Sequence, residues 1–342
     1  MPTVESLRIV FMGTPEFAVA SLEALVKAGC NIVGVITAPD KPGGRGMQLQ
    51  QSAVKKYAVE NNLRVLQPDK LKNPEFLAEL KSLNADLQIV VAFRMLPEVV
   101  WNMPPIGSVN LHGSLLPQYR GAAPINWAVI NGEKETGVTT FKLKQEIDTG
   151  DILLQEKFPI GENETVGEVH DRMKEIGAKV LVKTVKGLAE GSLKEVPQEA
   201  LVNKSMVNSE ESSKSESLNE DRGPHQPSTF TRQPLTLKHA PKIFTETCEV
   251  DFTKTVNEVF NLIRGLSPYP AAFTFLQGKK LKVYRVDKIN KVPTIGAGDF
   301  ETDGKTFLQF ACADGYINIV DLQLEGKKRM PTEDFLRGYR FG

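Results

Sequence analysis

The chain is poor in cysteine, in histidine and in long apolar runs, and it carries no net charge. Three cysteines, Cys30, Cys248 and Cys312, are scattered over 342 residues and none belongs to a CxxC pair. That spacing excludes a disulfide framework and a cysteine-rich zinc site, and it points to a reducing, cytoplasmic compartment. No run of about 18 apolar residues occurs, which excludes a membrane-spanning helix. The N-terminal MPTVESLRIVF lacks a basic stretch followed by an apolar one, so a secretory signal is not expected. The 42 basic side chains are matched by 42 acidic ones. Proteins that coat DNA or RNA non-specifically are strongly basic, so that class is excluded, while a local basic patch is not. Neither GxGxxG nor GxxxxGK[ST] appears, which removes the usual dinucleotide and P-loop fingerprints.

What is present is ordinary globular composition, 41% apolar and 25% charged, in a chain long enough for two domains. Leu7–Met12 is apolar apart from Arg8 and predicts a strand. Gly13, Thr14 and Pro15 then lead into Glu16–Lys27, where Phe17, Leu22, Leu25 and Val26 share one helical face. Asn31–Thr37 and Ala85–Ala92 predict further strands. Strands alternating with helices imply an α/β unit, an open Rossmann-like parallel sheet covered on both faces. Gly107–Ser114 resembles another strand but carries polar residues where apolar ones are expected. Polar residues ending a strand of an open α/β sheet mark the place where ligands sit. A long helix follows from Thr165 to Glu190, with Gly191 as its stop.

Composition changes abruptly over residues 203–235. Asn203–Arg232 is rich in Ser, Glu, Asn and Pro and cannot bury enough apolar surface to offset the entropy of ordering. It predicts a linker between residues 1–202 and a second domain, 236–342. In that domain Val256, Val259, Phe260 and Ile263 mark one helix. Turn signals at Leu276–Lys279 and Ala313–Tyr316 punctuate short strands, which predicts a small β-barrel or sandwich. Residues 236–342 hold 16 basic and 13 acidic side chains, against 22 and 24 in residues 1–202. The second domain is therefore mildly basic, which favours a polyanionic partner.

Of the four histidines, His225 falls in the linker, His239 in an irregular stretch, and His170 beside the apolar stripe of the long helix. His112 differs, because it lies two residues after Asn110 and the strand period places both side chains on one face. An amide beside an imidazole suits stabilisation of a tetrahedral oxyanion; a satisfied polar pair at a sheet edge fits the same pattern. Asp148-Thr149-Gly150-Asp151 lies between two strand candidates. It reads as a turn, or as a carboxylate placed to orient an imidazole. Ala38–Leu49 is a Gly- and Pro-rich loop carrying Lys41 and Arg45. It is either an exposed connector or a segment that contacts phosphates.

Together these segments resemble the methionyl-tRNA formyltransferase family. The matching pieces are Phe11–Ala18 (FMGTPEFA), the PDKPGGRG loop, Asn110–Ile125 (NLHGSLLPQYRGAAPI), Glu135–Thr140 (ETGVTT) and DTGD. Beyond the linker they are Ala240–Ile243 (APKI), Val250–Phe252 (VDF) and Ile263–Phe273 (IRGLSPYPAAF). The resemblance implies transfer of the formyl group of 10-formyltetrahydrofolate to the α-amino group of initiator methionyl-tRNA. It implies Asn110, His112 and Asp148 as the catalytic set, with Ser114, Leu115, Leu116 and Pro117 against the folate. Lys41 and Arg45 would meet the tRNA acceptor end, an OB-like C-terminal barrel would grip its backbone, and no metal would be required.

Two departures stand out. Val90-Val91-Ala92-Phe93-Arg94-Met95-Leu96-Pro97 replaces a family pattern, VVAYGxILP, that is one residue longer, and Gln145-Glu146-Ile147 precedes Asp148 where glycine and leucine are common. Two other readings share parts of the pattern: a formyltransferase acting on an amino sugar or purine precursor, and a catalytically silent RNA-binding protein. The first would need neither the PGGRG loop nor the second domain, and the second would not need Asn110, His112 and Asp148.

Overall fold

A strand with consecutive apolar residues, such as Ile9–Met12, is stable only where both of its faces are covered. The computed structural model, which describes residues 3–43, 48–201 and 236–341, supplies both covers. The strands of the first half are β1 (Arg8–Gly13), β2 (Asn31–Ile36), β3 (Lys41–Gly43), β4 (Gln48–Gln50) and β5 (Val65–Leu66). They are followed by β6 (Leu87–Val91), β7 (Ser108–His112), β8 (Arg120–Gly121), β9 (Glu135–Lys142) and β10 (Ile152–Pro159). The helices are α1 (Glu16–Lys27), α2 (Ala53–Glu60), α3 (Pro74–Ser82), α4 (Glu98–Trp101), α5 (Pro124–Ile130) and α6 (Val166–Ala189).

Seven strands form one sheet in the order β10-β9-β7-β6-β1-β2-β5. The five from β7 to β5 are mutually parallel, while β9 runs antiparallel to both β7 and β10. The parallel sheet expected from sequence thus carries an antiparallel hairpin at one edge. Alternation along β1 sends Ile9 and Phe11 into a layer with α1, α5 and α6, and Val10 and Met12 into the opposite layer with α3 and α4. The α6 N-terminus is closed by a capping box between Thr165 and Glu168.

The same alternation positions the site. In β7, Val109 and Leu111 face the layer of α1 and α6, which leaves Ser108, Asn110 and His112 on the other face. There α4 reaches only as far as Ser108, whose hydroxyl donates to the Trp101 carbonyl at 2.6 Å. Beyond it the described cover is a small cluster of Leu116, Phe141 and Ile152, so polar side chains find room.

The second half contains β11 (His239–Ala240), α7 (Val256–Leu266), β12 (Ala272–Leu276), β13 (Lys279–Ile289), β14 (Phe300–Thr302), β15 (Leu308–Ala311), β16 (Tyr316–Leu324), β17 (Met330–Pro331) and α8 (Thr332–Gly338). Its antiparallel sheet, ordered β12-β13-β16-β15-β14 with β17 on β16, curls as a half-barrel around α7 and α8. Val259, Phe260 and Ile263 of α7 and Leu336 of α8 share its core. The expected barrel thus takes the form of an open, curled sheet. The β12–β13 turn uses Gln277 and Gly278, both at positive φ (48° and 76°), as a tight two-residue hairpin requires.

The two halves are joined by specific contacts. β11 pairs with β8 in parallel, His239 opposite Arg120 and Ala240 opposite Gly121. Asn126 Nδ2 donates to Gly265 O at 2.8 Å, Trp127 Nε1 to Pro241 O at 2.8 Å, and Arg264 Nη1 to Glu164 O at 3.0 Å. The linker assigned to residues 203–235 lies outside the described residues. Among the described residues no helix is long and apolar enough to cross a membrane.

Candidate active site

β7 ends on His112, which is buried at 7% exposure. Its Nε2 lies 2.9 Å from Tyr119 O, an oxygen that only accepts, so Nε2 carries a proton. Its Nδ1 faces Asp148 Oδ2 at 3.8 Å, an ion-pair separation longer than a hydrogen bond. Phe141 stands edge-on to the imidazole, with ring centroids 6.4 Å apart. Asn110 shares the strand face and is partly exposed. Among the described residues its side-chain amide has no hydrogen-bond partner.

Asp148 comes to this face from the loop between β9 and β10, and its own backbone is left-handed, φ 55°. Such a conformation is uncommon outside glycine and persists only where surroundings hold it. Gly121 N–H donates to Asp148 Oδ2 at 2.9 Å. Gln198 Nε2 donates to Asp148 O and Gly150 O, both at 2.8 Å. Gly150 itself packs onto the β9 backbone, where a β-carbon would lie 1.6 Å from Lys142 O. The DTGD turn therefore has both the backbone role and the reach to His112 that its sequence left open.

The segment Ser114–Pro117 forms a wall after His112 and Gly113. Ser114, Leu116 and Pro117 are buried, and Leu115 is partly exposed and packed on Gly137. Thr139 Oγ1 donates to Ser114 O at 2.7 Å and accepts from Leu116 N at 3.1 Å. Gln155 Nε2 donates to Leu116 O at 2.8 Å, and Ser114 Oγ donates to Gln118 O at 2.7 Å. With these groups committed inside the protein, the segment offers a ligand shape more than free donors.

The base of the basic loop is tied into the fold. β3 and β4 pair as an antiparallel ribbon, with Lys41 opposite Gln50. Asp40 at its foot accepts from Lys55 Nζ at 2.5 Å and Gln67 Nε2 at 2.8 Å; the Lys55 hydrogen bond leads in holding this carboxyl below its ordinary range. Lys41 is exposed and makes no ion pair among the described residues; Arg45 lies outside them. The divergent loop after β6 turns through Ala92 at φ 46° and is pinned by Arg94, which donates to Pro68 O and, at 2.9 Å, to Asp69 O. Tyr119, Gly121, Thr139, Gln155 and Gln198 carry no signal of their own in the sequence, because each meets the site through a contact made only in the fold. Among the described residues no group of three or more His, Cys, Asp or Glu could hold a metal ion.

An imidazole N–H, an unpaired amide and a carboxylate brought onto one strand face are suited to stabilising an oxyanion and relaying a proton. The chain matches the family models "Formyl transferase" over residues 7–185 and "Formyl transferase, C-terminal domain" over residues 242–340. These matches define the class as a formyl transferase of two parts. The chain is 50% identical over 340 residues to methionyl-tRNA formyltransferase of Bacteroides fragilis, covering 98% of this chain and 96% of that protein. It is 53% identical over 342 residues to the same enzyme of Phocaeicola vulgatus, covering 98% and 97%. The chain belongs to the methionyl-tRNA formyltransferase family. Among solved structures it shares its fold with a sugar 3N-formyl transferase determined with dTDP and 5-N-formyl-THF. That match has a TM-score of 0.60 at 20% identity and covers 94% of this chain and 99% of that one.

Proposed function

We propose that the protein transfers the formyl group of 10-formyltetrahydrofolate to the α-amino group of initiator methionyl-tRNA in the cytoplasm. Residues 1–202 form the catalytic unit and residues 236–342 hold the tRNA. The observation that carries this reading is the approach of Asp148 to His112 beside the unpaired amide of Asn110.

The neutral α-amine attacks the formyl carbon, and a C–N bond forms as the carbonyl π pair moves to oxygen. The Asn110 amide and the His112 N–H donate to that oxyanion; each such donor is worth roughly 3–4 kcal/mol of barrier. For His112 this means exchanging the Tyr119 carbonyl for the formyl oxygen. Collapse of the intermediate breaks the bond to N10 of the folate, and the proton lost by the amine is passed to that nitrogen. Asp148 orients the imidazole and stabilises positive charge on it during this relay. Ser114–Pro117 form the wall against which the folate packs, and Lys41 and Arg45 contact the acceptor end of the tRNA.

The test supplies 10-formyltetrahydrofolate with charged initiator tRNA, free methionine or amino sugars and follows the formylated product. Product on the tRNA alone is expected; its absence there sinks the reading.

A further inference from the structure

Gln198 is completely buried, and every polar atom of its side chain is engaged. Arg120 donates to its Oε1 through Nε at 3.0 Å and Nη2 at 2.6 Å. A guanidinium can only donate, so this fork decides which end of the amide is oxygen. The amide nitrogen must then face the opposite way, where it donates to Asp148 O and Gly150 O, both at 2.8 Å. Those two carbonyls bracket the turn whose first residue is left-handed at φ 55° and presents its carboxylate to His112. Gln198 is delivered there by backbone pairing of Val196 with Ile152, the first residue of β10, at 2.8 and 2.9 Å.

We propose that Gln198 is a positioning residue for formyl transfer, holding the Asp148 turn in register with His112, with Arg120 fixing the orientation of its amide. The proposal rests on the assignment of Asp148 and His112 given above. A strained turn needs external support, and this side chain is the group that ties both of its carbonyls to a third segment of the chain. Its effect is exerted through Asp148, so it belongs to kcat and not to the affinity for either substrate.

The test uses the full-length chain and compares Gln198→Met, which keeps the length and removes the donors, with Asp148→Asn and the double variant. The kcat and both KM values are measured for charged initiator tRNA and 10-formyltetrahydrofolate. Gln198→Met is expected to lower kcat by about tenfold to a hundredfold, the scale of a small misplacement of a catalytic group, with both KM values within about threefold. In the Asp148→Asn background the same change is expected to cost less than about twofold, because the two act as a unit. A general structural defect would instead multiply fully in both backgrounds. Arg120→Leu, which frees the amide to rotate, lowers kcat in the same direction and carries the test if Gln198→Met does not fold. Unchanged kcat in both Gln198→Met and Arg120→Leu, or a fully multiplicative loss in the double variant, overturns the proposal. A wild-type rate for Asp148→Asn alone overturns the underlying assignment of the site, and that single variant separates the two failures.

Discussion

Gly121 donates its backbone N–H to Asp148 Oδ2 at 2.9 Å, and the other side of the same residue is pressed against the chain's second half. A β-carbon on Gly121 would lie 2.4 Å from Ala240 O, and its φ is 127°. One glycine therefore fixes the carboxylate that faces His112 and seats β11 against β8.

Gly121→Ala is accordingly expected to lose about 1–3 kcal/mol of stability from backbone strain alone, and more from the clash with Ala240. Turnover should fall with it, because the clash displaces the N–H that Asp148 accepts. Urea unfolding at constant m reads the first effect. A change within about 0.5 kcal/mol, the range of an ordinary surface substitution, would contradict the packing described here.

His112→Ala removes the imidazole while leaving β7 paired on both sides. Single-turnover formylation should fall by well over tenfold, on the scale of a lost oxyanion donor and proton carrier. Equilibrium binding of charged initiator tRNA should stay within about twofold, since a group acting in the transition state adds little to ground-state affinity. Turnover above about a tenth of the parent rate would count against the role assigned to it.

Asp148→Asn keeps an oxygen that can accept from Gly121 N–H and removes only the charge. A loss of about a hundredfold in kcat with an unaltered thermal midpoint is expected, in line with the usual worth of a general acid–base partner. An equal fall in stability would instead make the carboxylate a structural tie.

The thiols supply a test of the cores. Burial, the leading cause in each case, pushes Cys30 up to about 11 and Cys312 up to about 12, from an ordinary 9.0. Both are therefore protonated in the folded state where the unfolded chain begins to ionise. Their contribution to stability is complete below pH 9 and is lost as pH rises through 11 to 12. Iodoacetamide at pH 8 should label neither thiol until denaturant is added, which mass spectrometry reads directly. Rapid stoichiometric labelling of the native protein would show that these sites are open.

Arg45→Ala should weaken discrimination between initiator and other methionyl-tRNAs while leaving the thermal midpoint in place, since a phosphate contact gives register and affinity without stabilising the fold. The reverse outcome, a lowered midpoint with selectivity intact, would assign the PGGRG loop a structural role.

Much of the architecture is legible from side-chain period alone. The apolar run Ile9–Met12 demands two covers and receives them, and the spacing of Phe17, Leu22 and Leu25 gives α1 its buried face. The pairing of Asn110 with His112 is likewise a consequence of alternation along one strand. The antiparallel turn-back of β9 and β10 carries no such signature, because strand direction is set by the connection and not by the pattern. Nor could spacing bring Asp148 to His112, because Asp148 is held in place by Gly121 and Gln198 from two further segments. Gln198 is the extreme case: a polar residue in an unremarkable stretch that becomes fully buried where its own segment meets β8 and the Asp148–Gly150 turn.

The close approach of Ala240 to Gly121 also bears on how the chain is divided. Its two family matches, residues 7–185 and 242–340, suggest separable modules, one for chemistry and one for grip. Yet Gly121, the backbone donor to Asp148, is packed against Ala240, which lies past the first match and just short of the second, so the first match does not contain every residue that supports this carboxylate. A chain ending before residue 239 would lose the carbonyl packed against the glycine that holds its Asp148 carboxylate, and with it part of the floor beneath that side chain.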